Sequence, residues 1–155
     1  GYFYFNLHGG EDTANWYGQE GSSYPVAFTP DNIQDAEVRN AVVCCEACYG
    51  ANIVDKGVDE ALSLKFLAKD AACFVGSTKI AYGPTEPPST EADLLVLKFF
   101  ERIKEGLSFG DAFMKAKQDF ARECIAARAR LDMTEKKTLI EFVLFADPSS
   151  KMEEA

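Results

Sequence analysis

Two short runs constrain the fold of this chain more than anything else in it: Ala41-Val42-Val43-Cys44-Cys45-Glu46-Ala47 and Ala71-Ala72-Cys73-Phe74-Val75-Gly76. Each is continuous in small and β-branched residues without polar alternation. Strands covered on both faces read this way, as in a mostly parallel sheet. A third strand, Tyr2-Phe3-Tyr4-Phe5-Asn6-Leu7, is densely aromatic and stops at Gly9-Gly10. Residues 11–29 read as a long surface loop, and Thr29-Pro30-Asp31 as the start of a short helix running to about Glu37. Helix is expected from Asp59 to Lys69. Another is capped by Thr90, with Asp93 at the capping-box position and Ala92, Leu95, Val96, Phe99, Phe100 and Ile103 on one face, and ends at Gly106. A further helix starts at Ser108, with Asp111 three residues on and a stripe of Phe113, Ala116, Phe120, Cys124 and Ala127. Residues 77–89 form a Pro-rich ordered loop, and Thr138 to Phe145 reads as a last strand before Ala146-Asp147-Pro148. Strands alternating with helices give an α/β domain over residues 1–150, followed by a solvated acidic tail at 151–155.

The 155 residues are 47 % apolar, enough for one domain with a core of its own. Acidic residues number 25 against 16 basic, a net charge of −9. That balance opposes nucleic acid or an anionic membrane surface as partner and favours basic ligands. No apolar run approaches the roughly 18–20 residues of a membrane span, and the first residues do not read as a charged-then-apolar signal peptide. Because the sequence starts inside a strand, an upstream part of the domain is expected to be missing or to lie on another chain.

Five cysteines, Cys44, Cys45, Cys48, Cys73 and Cys124, stand beside a single histidine. Cys44 and Cys45 are strand neighbours and point to opposite faces, so they are poorly placed to bridge each other. Cys45-x-x-Cys48 is half of a zinc site or a redox pair, which keeps a redox or metal-binding α/β protein among the alternatives. Free thiols favour a reducing, intracellular compartment.

Ligand sites in parallel sheets lie beyond the carboxyl ends of the strands. The first strand ends in Asn6-Leu7-His8-Gly9-Gly10 and the second in Glu46-Ala47-Cys48-Tyr49-Gly50. If these strands are parallel neighbours, His8 and Cys48 arrive at one sheet edge as a Cys/His pair for nucleophilic catalysis. Gly9 leaves its N–H uncovered, and with the N–H of Cys48 it could form an oxyanion hole. Cys45 sits inside its strand, where a substrate carbonyl could not approach.

These residues resemble the caspase-like cysteine peptidases, whose members carry His-Gly at one strand end and a Cys at the next. Glu46 stands where the caspase signature has Gln. Within that clan the chain is most similar to gingipain-like and CHAT-type peptidase domains. Three stretches add to the likeness: Phe74-Val75-Gly76-Ser77-Thr78, Ser108-Phe109-Gly110-Asp111-Ala112-Phe113, and Phe145-Ala146-Asp147-Pro148-Ser149, in which Ala146 replaces a Gly. The resemblance implies a three-layer α/β/α sandwich with one or two strands ahead of the histidine strand. It also implies peptide-bond hydrolysis through an acyl-enzyme, with Cys48 as nucleophile, His8 as general acid/base, and Gly9 and Cys48 as oxyanion donors. The substrate would be a peptide or protein. Relatives with an acid two positions before the cysteine take Lys or Arg at P1, and asparagine-specific relatives also carry Glu-Ala-Cys. Glu46 and Asn6 would line the pocket, with Ser77, Thr78 and Tyr82 in its wall and Trp16 at its floor or pinning the loop. No cofactor is implied; calcium activates some relatives, and no DxDxDG-type loop is present. The alternative within the family is a catalytically silent domain that binds or regulates other proteins.

Overall fold

The computed structural model describes residues 1–33, 38–84 and 86–152. Four strands, β1 (Tyr2–Phe5), β4 (Val42–Cys45), β5 (Cys73–Ser77) and β6 (Phe142–Ala146), form one sheet in the order β1-β4-β5-β6. The first three are parallel and β6 is antiparallel to β5. A separate antiparallel pair joins β2 (Trp16–Tyr17) to β3 (Val26–Phe28). The helices are α1 (Leu62–Ala68), α2 (Glu91–Lys104), α3 (Phe109–Arg128) and α4 (Met133–Glu141), with 3₁₀ turns at Pro30–Asn32 and Val58–Glu60. The mixed α/β class with a mostly parallel sheet is as the strand runs imply. The helix expected to reach Glu37 falls on residues 34–37, outside the described residues; the 3₁₀ turn is its described part.

All four residues of β4 are buried, because both sheet faces are covered. Val42 and Cys44, with Cys73 and Val75, pack under Leu95, Phe99 and Ala116 of α2 and α3. Val43 and Cys45 face the other way, toward Phe66, Leu62 and Trp16. Phe66 of α1 is the hub of this second cluster, with ring centroids 5.7 Å from Phe5, 5.9 Å from Phe28 and 6.1 Å from Phe74. Those rings clamp the β2–β3 pair against the sheet, which fixes the loop after His8. No helix among the described residues is long and apolar enough to cross a membrane.

Several element boundaries depart from the sequence reading. Thr138 to Glu141 are the last turn of α4, and the strand begins at Phe142. Asp132 caps α4 by accepting from the Glu135 N–H, and the Glu135 carboxylate accepts from the Asp132 N–H. Lys117 then donates to the carbonyls of Leu139 (2.8 Å) and Phe142 (2.9 Å), satisfying the helix end where it turns directly into strand. The α3 stripe runs through Phe109, Ala112, Ala116, Phe120 and Cys124, leaving Ala127 exposed. The start of α3 is stitched to the chain end: Phe109 N–H donates to Ser150 O (2.8 Å) and Gly110 N–H to Pro148 O (2.9 Å). In the expected tail Lys151 is exposed and Met152 is partly buried against the core; 153–155 lie outside the described residues.

Candidate active site

The register of β1 on β4 sets the site. Tyr2 pairs with Val42 and Phe5 with Cys45, an offset of forty residues, and Glu46 N–H extends the ladder by donating to Phe5 O at 2.9 Å. The same offset carried three residues further brings His8 beside Cys48. The residue after His8 packs against the Cys48 backbone: a Cβ built on Gly9 would lie 2.1 Å from the Cys48 carbonyl oxygen. Only a residue without a side chain permits that approach. His8 and Cys48 line one open cavity of about 580 Å³, together with Asn6, Glu46, Tyr82 and Asp93.

Cys48 leaves the strand at a sharp turn. Tyr49 takes φ 59°, a left-handed conformation that costs about 1 kcal/mol for a non-glycine residue. The conformation is held by its N–H donating to Lys79 O (2.8 Å), and the Lys79 ammonium lies over its ring at 5.5 Å. The Cys48 thiol donates to Ala81 O at 3.6 Å, against the Pro-rich loop. Neither the Gly9 nor the Cys48 N–H has a hydrogen-bond partner among the described residues, so both are available to an anionic oxygen.

The other four thiols are buried. Burial, with neighbouring Cys73 and Cys45, pushes the Cys44 thiol well up. Burial also raises Cys45, and pushes Cys73 up to about 12 and Cys124, beside Glu135, up to about 12. A thiol kept neutral and dry does not attack, which leaves Cys48 as the one partly exposed thiol, and it lines the cavity. Among the described residues no group of three or more His, Cys, Asp or Glu is arranged to hold a metal.

Four residues of the site were not singled out in the sequence. Gln19 Oε1 lies 3.0 Å from His8 Nε2, and Tyr24 stands edge-on to the imidazole with centroids 4.9 Å apart. Both come from the β2–β3 turn, which is tied to the histidine by paired backbone bonds between His8 and Tyr17, each 2.8 Å. Gln19 therefore orients the ring. In the catalytic reading proposed below, Gln19→Ala is expected to lower kcat about tenfold with little effect on KM, and an unchanged kcat would mark a merely structural role. Asp93 and Tyr4 are the other two. Thr90 is the N-cap of α2, but its side chain makes no capping bond; Asp93 turns into the cavity instead. The first turn is held by Ala92 N–H donating to Tyr82 O at 3.0 Å.

Three expected pocket residues lie elsewhere. Trp16 is 3 % exposed and wedged among Phe5, Phe28, Phe66 and Phe74, so it pins the loop from inside the core. Ser77 is fully buried and bonds through its hydroxyl to Lys79 O (2.9 Å). Thr78 donates to Glu141 O (3.0 Å). Both close the end of β5 onto its neighbours and neither lines the cavity. Asn6, Glu46 and Tyr82 do line it. The sequence matches no protein-family model and no curated protein.

Proposed function

We propose that this chain is a caspase-like cysteine peptidase domain, of the gingipain-like or CHAT type, cleaving peptide bonds after Arg or Lys. Its α/β sheet, with helices packed on it, is compatible with the α/β/α sandwich of that clan. The Cys48 thiolate attacks the P1 carbonyl carbon, and the oxyanion is received by the N–H groups of Gly9 and Cys48. His8 protonates the leaving amine as the C–N bond breaks. It then takes a proton from the water that hydrolyses the thioester, which releases the acid and restores the thiol. Glu46 is the countercharge for the P1 cation.

The observation that carries this reading is that His8, Cys48 and the buried Glu46 line one cavity, with the Gly9 backbone packed against that of Cys48 beside it. A peptidyl acyloxymethyl ketone with Arg at P1 tests it, read by intact mass and peptide mapping. One adduct on Cys48, absent with the matching P1-Asp reagent, is expected. No adduct, or adducts spread over several thiols, would remove the peptidase reading.

A further inference from the structure

The cavity beside Cys48 carries more acid than one cationic side chain needs. Glu46 is only 7 % exposed and its Oε1 has no hydrogen-bond partner. Asp93 Oδ1, from the first turn of α2, is likewise buried without a partner. The two carboxyls converge on Gly83: a Cβ there would lie 2.9 Å from Asp93 Oδ1 and 3.9 Å from Glu46 Oε2. Among the described residues no Lys or Arg lines the cavity.

The titratable groups within electrostatic reach of Glu46 are the Tyr4 phenol on β1, the Cys44 and Cys45 thiols of the preceding strand, and Asp93 on α2. Across the cavity stand His8 and Cys48. On the loop side, Lys137 lies 5.3 Å from the Tyr82 ring centroid and is already paired with Glu141. Two neighbouring acids in such a place cannot both ionise without a cation between them. Burial first, then the Asp93 carboxyl, pushes the Glu46 carboxyl up to about 9, with Tyr4 opposing. The empty pair therefore holds one proton at neutral pH.

We propose that Glu46 and Asp93 form a proton-linked receptor for the P1 side chain, in which the incoming guanidinium or ammonium replaces the shared proton and that proton leaves to solvent. Asp93 becomes a second specificity-determining residue. This rests on the peptidase reading and adds a property to it: preference for a cationic P1 rises with pH.

Citrulline, the neutral near-isostere of Arg, provides the probe. The ratio of kcat/KM for P1-Arg over P1-citrulline peptides cancels the ionisation of the Cys48–His8 dyad, leaving that of the pocket. In the wild type this ratio is expected to rise at least tenfold between pH 6 and pH 8. In Asp93→Asn it is expected to be 10–100-fold lower at pH 8 and to rise less steeply with pH, because burial alone still holds a proton on Glu46, and Asp93→Glu should recover part of both. Calorimetry of a P1-Arg peptide on the Cys48→Ala protein, in buffers of different ionisation heat, should show between about 0.5 and one proton released at pH 7. A flat wild-type ratio, no proton release, or an Asp93→Asn ratio within twofold of wild type would overturn the proposal while Cys48 labelling by the P1-Arg ketone still stood. Absence of that labelling would take both readings down together.

Discussion

Replacing Cys48 with alanine is expected to lower kcat/KM on P1-Arg peptides by about 10⁴-fold or more, with the fold intact. No other thiol can substitute, because Cys44, Cys45, Cys73 and Cys124 are buried away from the cavity. The side chain's one hydrogen bond is the long contact to Ala81 O, so its loss should leave the thermal midpoint within about 2 °C of wild type. Peptide binding should survive, since Glu46 and the cavity walls remain. His8→Ala should fall in the same direction, and the double variant should be scarcely worse than Cys48→Ala, because the two groups act in one step. Steady-state kinetics on all three proteins decide the matter; activity of Cys48→Ala within tenfold of wild type would place the chemistry on another residue.

Gly9→Ala is expected to be nearly as damaging, although it removes no chemical group. The added methyl would meet the Cys48 carbonyl oxygen at 2.1 Å, and both sides of that contact are backbone. The strand ends must therefore part by about an ångström, a displacement that costs at least about 10²-fold in rate when it separates a nucleophile from its base. A stability loss of roughly 1–3 kcal/mol should accompany it, as for an overpacked core. Gly10→Ala is the control, since its methyl meets the Thr13 Cγ2 methyl at 3.1 Å, a side chain that can give way. Activity and denaturant midpoints of the two variants should separate cleanly; equal values would show that the Gly9 contact does not govern the site.

Much of the site is legible in the sequence because it rides on regular strands. The apolar runs of β4 and β5 imply burial on both faces, and a strand-end His and a strand-end Cys need only parallel pairing to meet. What the sequence cannot supply is the register, and the forty-residue offset of β1 on β4 is what turns a plausible pair into neighbours. Asp93 was hidden by its own position: an acid three residues after Thr90 reads as a helix cap, and nothing local distinguishes a capping carboxyl from one turned into a cavity. Gln19 lay in a polar loop whose path is set by distant rings, Phe28 and Phe66 among them. Trp16 went the other way, a loop tryptophan drawn into the core by four phenylalanines. The α4 helix did leave a signal, the Asp132-Met133-Thr134-Glu135 capping box, but no Gly or Pro separates it from β6, so helix and strand ran together as one apolar segment.

Among the described residues β1 pairs with β4 alone, and its Tyr2 and Tyr4 are half-exposed. The imidazole is thus mounted on a rim element, while the sulfur is mounted on the best-protected element of the molecule. Peeling that rim away would part the imidazole from the sulfur while the bulk of the secondary structure still stood, and whatever clasps the rim from outside would decide how often the two are brought together.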